Sequence, residues 1–183
     1  MRVLVTGITG FVGGYLTEHL LACGDQVTGC SRRGEWPRPL AHLSTHVHLM
    51  ACDLASANCA DELFKQKPFD AVIHLAGLAD PRACRTNPEQ AQRENTEATG
   101  NLVEAIRQSD QRPRMLYVST SFVYGRPLPE DLPIRINCPI RTEEPYGASK
   151  WAAEQLSEQF ATEYGLDIIR VRPFNHTGPR QPA

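Results

Sequence analysis

Short apolar runs alternate along the chain with longer amphipathic stretches. Residues 3–6 are a compact β-favouring run, after which Val12, Leu16 and Leu20 recur at helical spacing and Gly24 suits a helix C-terminus. Further strands are expected over 27–30, 47–51, 70–76, 114–119 and 167–171, and helices over 57–65, 88–107 and 146–164. The run at 70–76 reads as a strand covered on both faces. Alternating strands and helices predict an α/β protein with a parallel sheet and right-handed crossovers. Two segments carry no such pattern, 33–40 and the proline-rich 126–145. A loop as long as the second is more often functional than idle.

The chain has 183 residues, enough for one domain with a real core. Its 41% hydrophobic and 22% charged residues are those of an ordinary globular protein. A net charge of −2 gives no reason to expect nucleic acid or an anionic membrane as partner. No apolar run reaches the length of a membrane span, and the first strand starts too close to Met1 to leave room for a signal peptide. A cytoplasmic location is therefore expected. The six cysteines are scattered without a CxxC pair, so they read as reduced thiols, and no metal site is expected.

Candidate chemistry sharpens this picture. The first strand runs into Gly7-Ile8-Thr9-Gly10-Phe11-Val12-Gly13, a GxxGxxG turn before a helix. Small residues there permit a tight turn and close approach of a pyrophosphate, and a helix N-terminus favours its charge. With six strands, this predicts a doubly wound Rossmann sheet of order 3-2-1-4-5-6 that binds a dinucleotide. After the second strand the chain reads Ser31-Arg32-Arg33, where an acid would hold the ribose 2′-hydroxyl of NAD. The two arginines favour the 2′-phosphate of NADP, with NAD as the alternative. Asp53, after the third strand, either reaches the adenine amino group or caps the next helix.

Tyr146 and Lys150 stand four apart, on one face of a helix, and Thr120 follows the fifth strand where its hydroxyl can face them. A free tyrosine has a pKa of about 10 and is a poor base at neutral pH. A neighbouring ammonium and a positive nicotinamide favour the phenolate, and such a tyrosine exchanges a proton while hydride moves.

These residues belong to a wider set of matches. TGITGFVGG at 6–14, CDL at 52–54, VIHLAG at 72–77, the helix beginning at Asn95, STSFVYG at 119–125, YGASK at 146–150 and RPFNHTGPRQ at 172–181 follow one another through the whole chain. With them the chain resembles the extended short-chain dehydrogenase/reductases that modify nucleotide sugars. The resemblance implies that Tyr146 is the acid/base, Lys150 its partner and a holder of the nicotinamide ribose, and Thr120 the hydroxyl on the reacting oxygen. It implies cofactor contacts at Gly7, Thr9, Gly10, Phe11, Val12, Gly13, Ser31, Arg32, Arg33, Asp53, Leu54, Leu75, Ala76, Gly77 and Pro173. Substrate contacts are implied at Asn95, Thr120, Ser121, Phe122, Asn175 and Arg180.

Three family chemistries compete. Family 4,6-dehydratases carry an acid two positions after the hydroxyl residue, where this chain has Phe122, and Ser121 cannot replace a carboxylate as base. A 4-epimerase needs tightly held NAD, which Ser31-Arg32 disfavours. The string at 172–181 resembles the GDP-4-keto-6-deoxy-mannose reductases, so the leading expectation is reduction of a 4-keto nucleotide sugar with NADPH, followed by epimerisation and then dehydration. A non-enzymatic dinucleotide sensor is the remaining alternative, and it would have no need of Thr120, Tyr146 and Lys150. The resemblance also implies a homodimer through the helices at 88–107 and 146–164, with Trp151, Leu156 and Phe160 at the seam or in the core. It implies too that residues 1–183 are the cofactor-binding domain, without the smaller substrate domain of the family.

Overall fold

The computed structural model of the protein describes residues 1–66 and 68–181. Six parallel strands form one sheet in the order β3-β2-β1-β4-β5-β6: β1 (Arg2–Thr6), β2 (Gln26–Ser31), β3 (His48–Ala51), β4 (Ala71–His74), β5 (Arg114–Val118) and β6 (Ile168–Val171). The doubly wound Rossmann order expected from the sequence is the one observed. Its register aligns Thr6 with Cys30 on one side and with His74 on the other, so the C-terminal ends of β2, β1 and β4 lie level. The strand order reverses between β1 and β4, and the crevice outside that point is where such sheets take their ligands.

Burial explains why the central strands lack a polar face. Val3, Leu4 and Val5 are all buried, because helices cover both sides of the sheet. On one side α1 (Phe11–Ala22) closes over Val3, Val5, Ile8 and Val27, and a 3-10 helix at Arg38–Thr45 sets Leu40 against Gly14 of α1. On the other, α2 (Ala57–Gln66), α5 (Ala98–Gln108) and α6 (Pro145–Tyr164) pack over Leu4, Val72, Met115 and Tyr117. Full burial of each such side chain contributes about 1.5–3 kcal/mol.

Several local expectations are corrected. β4 is shorter than 70–76, because the chain leaves the sheet after His74 to form the turn at Leu75–Gly77. Part of the supposedly irregular 33–40 is the start of the 3-10 helix at Arg38–Thr45, which anchors Leu40 and Leu43 in the core. The helix expected over 88–107 is composite. After a short α3 (Pro81–Thr86), which the pattern did not reveal, α4 (Pro88–Ala91) passes into a π-helical segment at Gln92–Glu97 and then into α5. The π segment widens the helix by about one residue per turn, and such segments collect at functional sites.

Candidate active site

The first half of the site is the turn between β1 and α1. Gly10 is the α1 N-cap in extended conformation, with no side-chain capping bond and no acidic residue in the first helical turn. The amides of Phe11, Val12 and Gly13 therefore open α1 without a carboxylate to meet them, which leaves the positive end of a 12-residue helix to an anion. Gly7 has φ +68°, and a Cβ there would lie 2.7 Å from the Ala76 nitrogen. A Cβ on Gly13 would lie 2.5 Å from the Ile8 carbonyl oxygen. At Gly7 the turn thus presses against the end of β4, and at Gly13 α1 presses against the turn, with no room for a side chain at either position, as a pyrophosphate cradle requires. Thr9 is half-buried beside it.

The ends of β2 and β3 form the outer wall. The Gly34 amide donates to Ser31 Oγ at 3.2 Å, closing a tight loop that leaves Arg33 exposed. Arg32 reaches across to Glu94 of the π segment, at 2.6 Å. Asp53 does not cap α2, which begins four residues later. Its Oδ1 accepts from the Ala55 amide at 3.1 Å and its Oδ2 pairs with Arg93 at 2.6 Å, so an adenine amino group would have to share that carboxylate. Leu54 is part of the core. Leu75 and Ala76 are half-buried and Gly77 exposed at the β4 end, where the Leu75–Ala76 backbone packs against Gly7 of the glycine turn.

Behind that end lies a relay that fixes a tautomer. Thr99 Oγ1 donates to the Asn95 carbonyl at 2.6 Å, so it accepts from His74 Nε2 at 3.0 Å. His74 Nδ1 is then the acceptor for the Thr6 hydroxyl at 2.7 Å, and Thr6 Oγ1 accepts from the Ala76 amide at 3.2 Å. His74 is fully buried, and burial, with the Lys150 charge nearby, pushes its pKa down to about 3. It is a neutral brace between β1, β4 and α5, as expected of a structural histidine.

The second half of the site gathers at the ends of β5 and β6 and the start of α6. Thr120, 6% exposed, caps a 3-10 turn at Ser121–Tyr124 by accepting from the Phe122 amide at 3.2 Å. Ser121 donates its amide to the Pro173 carbonyl at 2.9 Å, which ties that turn to the segment after β6. Tyr146 is in the first turn of α6, with Phe122 edge-on to its ring at 5.4 Å. Lys150, one turn on, is 7% exposed, and its ammonium lies 4.5 Å over the Tyr117 ring. Burial lowers the Lys150 pKa to about 8, against the opposing pull of Glu154. Burial likewise raises the Tyr146 phenol, and the Thr120 hydroxyl partly offsets it.

That last direction corrects an expectation. Within the folded chain burial outweighs the Thr120 hydroxyl and holds the phenol above its ordinary range, while the Lys150 ammonium lies over the Tyr117 ring. The uncharged phenol is the favoured form, which suits a proton donor.

Other expected site residues are placed differently. Asn95 is 1% exposed and fully engaged: Oδ1 accepts from the Leu78 amide at 2.7 Å, and Nδ2 donates to the Leu78 carbonyl at 3.1 Å and to Ser149 Oγ at 2.9 Å. It clamps α6 to the β4 loop. Arg180 is bound to Glu18 of α1 at 2.7 Å and lies 3.9 Å over the Tyr15 ring. Asn175 and Phe174 are exposed on the segment after β6. Pattern reading missed the pair Glu154–Arg172, at 2.5 Å and only 6% and 12% exposed, in which Arg172 also donates to the Tyr124 hydroxyl at 2.9 Å. Glu154 stands four residues after Lys150, and that spacing was the available signal. His42 and His46 also stand four apart, but His42 faces Glu18 at 2.9 Å, and no metal-holding cluster occurs among the described residues.

The model of the NAD dependent epimerase/dehydratase family matches residues 3–183. The chain belongs to that family. It is 33% identical over 181 residues to the GDP-6-deoxy-D-mannose reductase of Pseudomonas aeruginosa, covering 98% of this chain and 54% of that protein. The UDP-glucose 4-epimerase of Thermus thermophilus, solved in complex with NAD, superposes with a TM-score of 0.90 at 30% identity, over 100% of this chain and 58% of its own. RMD from Pseudomonas aeruginosa, solved with NADPH, gives 0.81 at 32% identity, over 99% and 55%. The chain thus spans about half the length of the epimerase/dehydratase relatives it matches. These relatives include NAD(P)-dependent nucleotide-sugar enzymes of both the reducing and the epimerising kind. No helix among the described residues is long and apolar enough to cross a membrane.

Proposed function

We propose that this protein serves NADPH-dependent reduction of a 4-keto nucleotide sugar, with GDP-4-keto-6-deoxy-mannose as the leading candidate. The observation that carries the reading is Thr120, at the end of β5, beside the start of α6 where Tyr146 and Lys150 stand one turn apart, with an uncapped glycine turn after β1 of the same parallel sheet. The turn fits a pyrophosphate, and the buried Lys150, whose ammonium lies over the Tyr117 ring, fits ribose hydroxyls. A bound nicotinamide supplies the hydride. Tyr146 donates its phenolic proton to the carbonyl oxygen, Thr120 orients that oxygen, and Lys150 holds its charge one helical turn from Tyr146.

Phe122 supports reduction over dehydration, because it packs its ring against Tyr146 where a dehydratase needs an acid. Arg32 and Arg33 at the β2 end support NADPH over NADH. The likeness to NAD-bound epimerases keeps 4-epimerisation as the second reading. Pairing of two copies through the helices at 88–107 and 146–164, a cytoplasmic location, and the assignment of residues 1–183 to a cofactor-binding domain go with the same proposal; the half-length match to the relatives supports the domain assignment.

The test is NADPH oxidation against GDP-4-keto-6-deoxy-mannose, alongside a UDP-sugar epimerisation assay. Tyr146→Phe should lower turnover by about 100-fold to 10,000-fold while NADPH still binds. Unchanged turnover would remove Tyr146 from the reaction, and epimerisation with tightly held NAD would select the second reading.

A further inference from the structure

Two ion pairs of opposite polarity cross the adenosine end of the crevice. Arg32, after β2, reaches Glu94, and Asp53, after β3, is reached by Arg93, both at 2.6 Å. The π segment makes this possible by presenting two consecutive residues to the β2 and β3 ends while Asn95, next in line, turns inward to Leu78 and Ser149. The partners are unequal. Glu94 is 11% exposed and held from its own helix by Gln90, which donates to the same carboxylate oxygen at 2.7 Å. Arg32 is 61% exposed. The carboxylate is therefore the fixed member and the guanidinium the movable one.

Resting on the dinucleotide reading above, we propose that Glu94 is a specificity-determining residue that competes with the adenosine 2′-phosphate for Arg32. Arg32 cannot meet both groups without bringing two anions together. A 2′-phosphate must take the guanidinium from Glu94 and then lie within one arginine's reach of a buried-side carboxylate. A 2′-hydroxyl carries no charge and does not meet this cost. Glu94 thus holds the preference for the phosphorylated cofactor below what Arg32 and Arg33 alone would give, and removing its charge sharpens that preference.

The experiment titrates the protein with adenosine 2′,5′-bisphosphate and, separately, with 5′-ADP, following binding by calorimetry. In Glu94→Gln, which keeps the length of the side chain, bisphosphate affinity should rise about fivefold, the equivalent of about 1 kcal/mol, with 5′-ADP affinity changing less than about twofold. Arg32→Gln should lower bisphosphate affinity about tenfold with little effect on 5′-ADP. In the double variant the gain from Glu94→Gln should vanish. An equal gain for both nucleotides, no gain, or a gain that survives loss of Arg32 would overturn the proposal. If neither nucleotide binds, the dinucleotide reading falls and this proposal with it. Tight 5′-ADP binding with an unresponsive Glu94→Gln leaves that reading standing and removes only Glu94.

Discussion

His74 offers a direct measurement of what burying an imidazole at the end of β4 does to stability. The unfolded chain titrates this residue near pH 6.5, whereas the native relay holds it neutral down to about pH 3. Between those values the unfolded state binds a proton that the native state refuses, so stability falls as pH falls, by about 1.4 kcal/mol per unit once well below 6.5. From pH 7 to pH 5 this one residue should remove about 2 kcal/mol. His74→Gln deletes the titration. It also leaves the Thr6 or the Thr99 hydroxyl without its partner, so the variant should be less stable at pH 7 by about 1–3 kcal/mol. Urea unfolding of both proteins at pH 7 and pH 5 gives the double difference, in which the exposed histidines cancel. The variant should lose about 2 kcal/mol less than the parent between the two pH values. Equal losses, within about 0.5 kcal/mol, would mean that His74 is already solvated or protonated in the native state, and the relay would be refuted.

The glycine turn, the buried ion pair and the site lysine each give a further expectation. Gly13→Ala places a methyl 2.5 Å from the Ile8 carbonyl oxygen, so α1 must shift; unfolding should show a loss of about 1–3 kcal/mol, and fluorescence titration should show weaker NADPH binding. Glu154→Gln leaves the largely buried Arg172 without a countercharge and should cost about 3 kcal/mol in urea; it should also move the Lys150 titration below pH 8, because Glu154 is the group that raises it. Cofactor affinity should decline above about pH 8 as Lys150 loses its proton, and Lys150→Met should bind more weakly with a flat profile; a parent affinity independent of pH from 7 to 9.5 would exclude the ammonium from the contact.

Strand order and the glycine turn were legible because they depend on local signals. An apolar run covered on both faces and a glycine triplet before a helix are each compatible with few local structures. Tyr146 and Lys150 were legible for a related reason, since four-residue spacing on a helix is itself geometry. What escaped depends on distant partners. Nothing near Asn95 says that its amide will clamp Leu78 and Ser149, and nothing near Arg180 says that Glu18 will hold it, 162 residues away. The Tyr146 phenol was expected low and is held high because burial, which only the packed core decides, outweighs the Thr120 hydroxyl. Helix 88–107 looked uniform because a single inserted residue moves the apolar positions by only one place, a small signal over a few helical turns.

That inserted residue also limits how the chain can change length. An α-helix advances about 100° per residue, so deleting one position within Gln92–Glu97 would restore regular winding and rotate everything before it by about that angle relative to α5. Arg93 and Glu94 would swing away from Asp53 and Arg32, although every amino acid they contact would remain in the chain. The segment acts as a phase shifter between two helices, each in register with a different wall of the crevice. Single-residue deletions should be tolerated in the largely exposed stretch 126–137 and not here, and a deletion scan across both stretches, read out by nucleotide binding, would show the contrast.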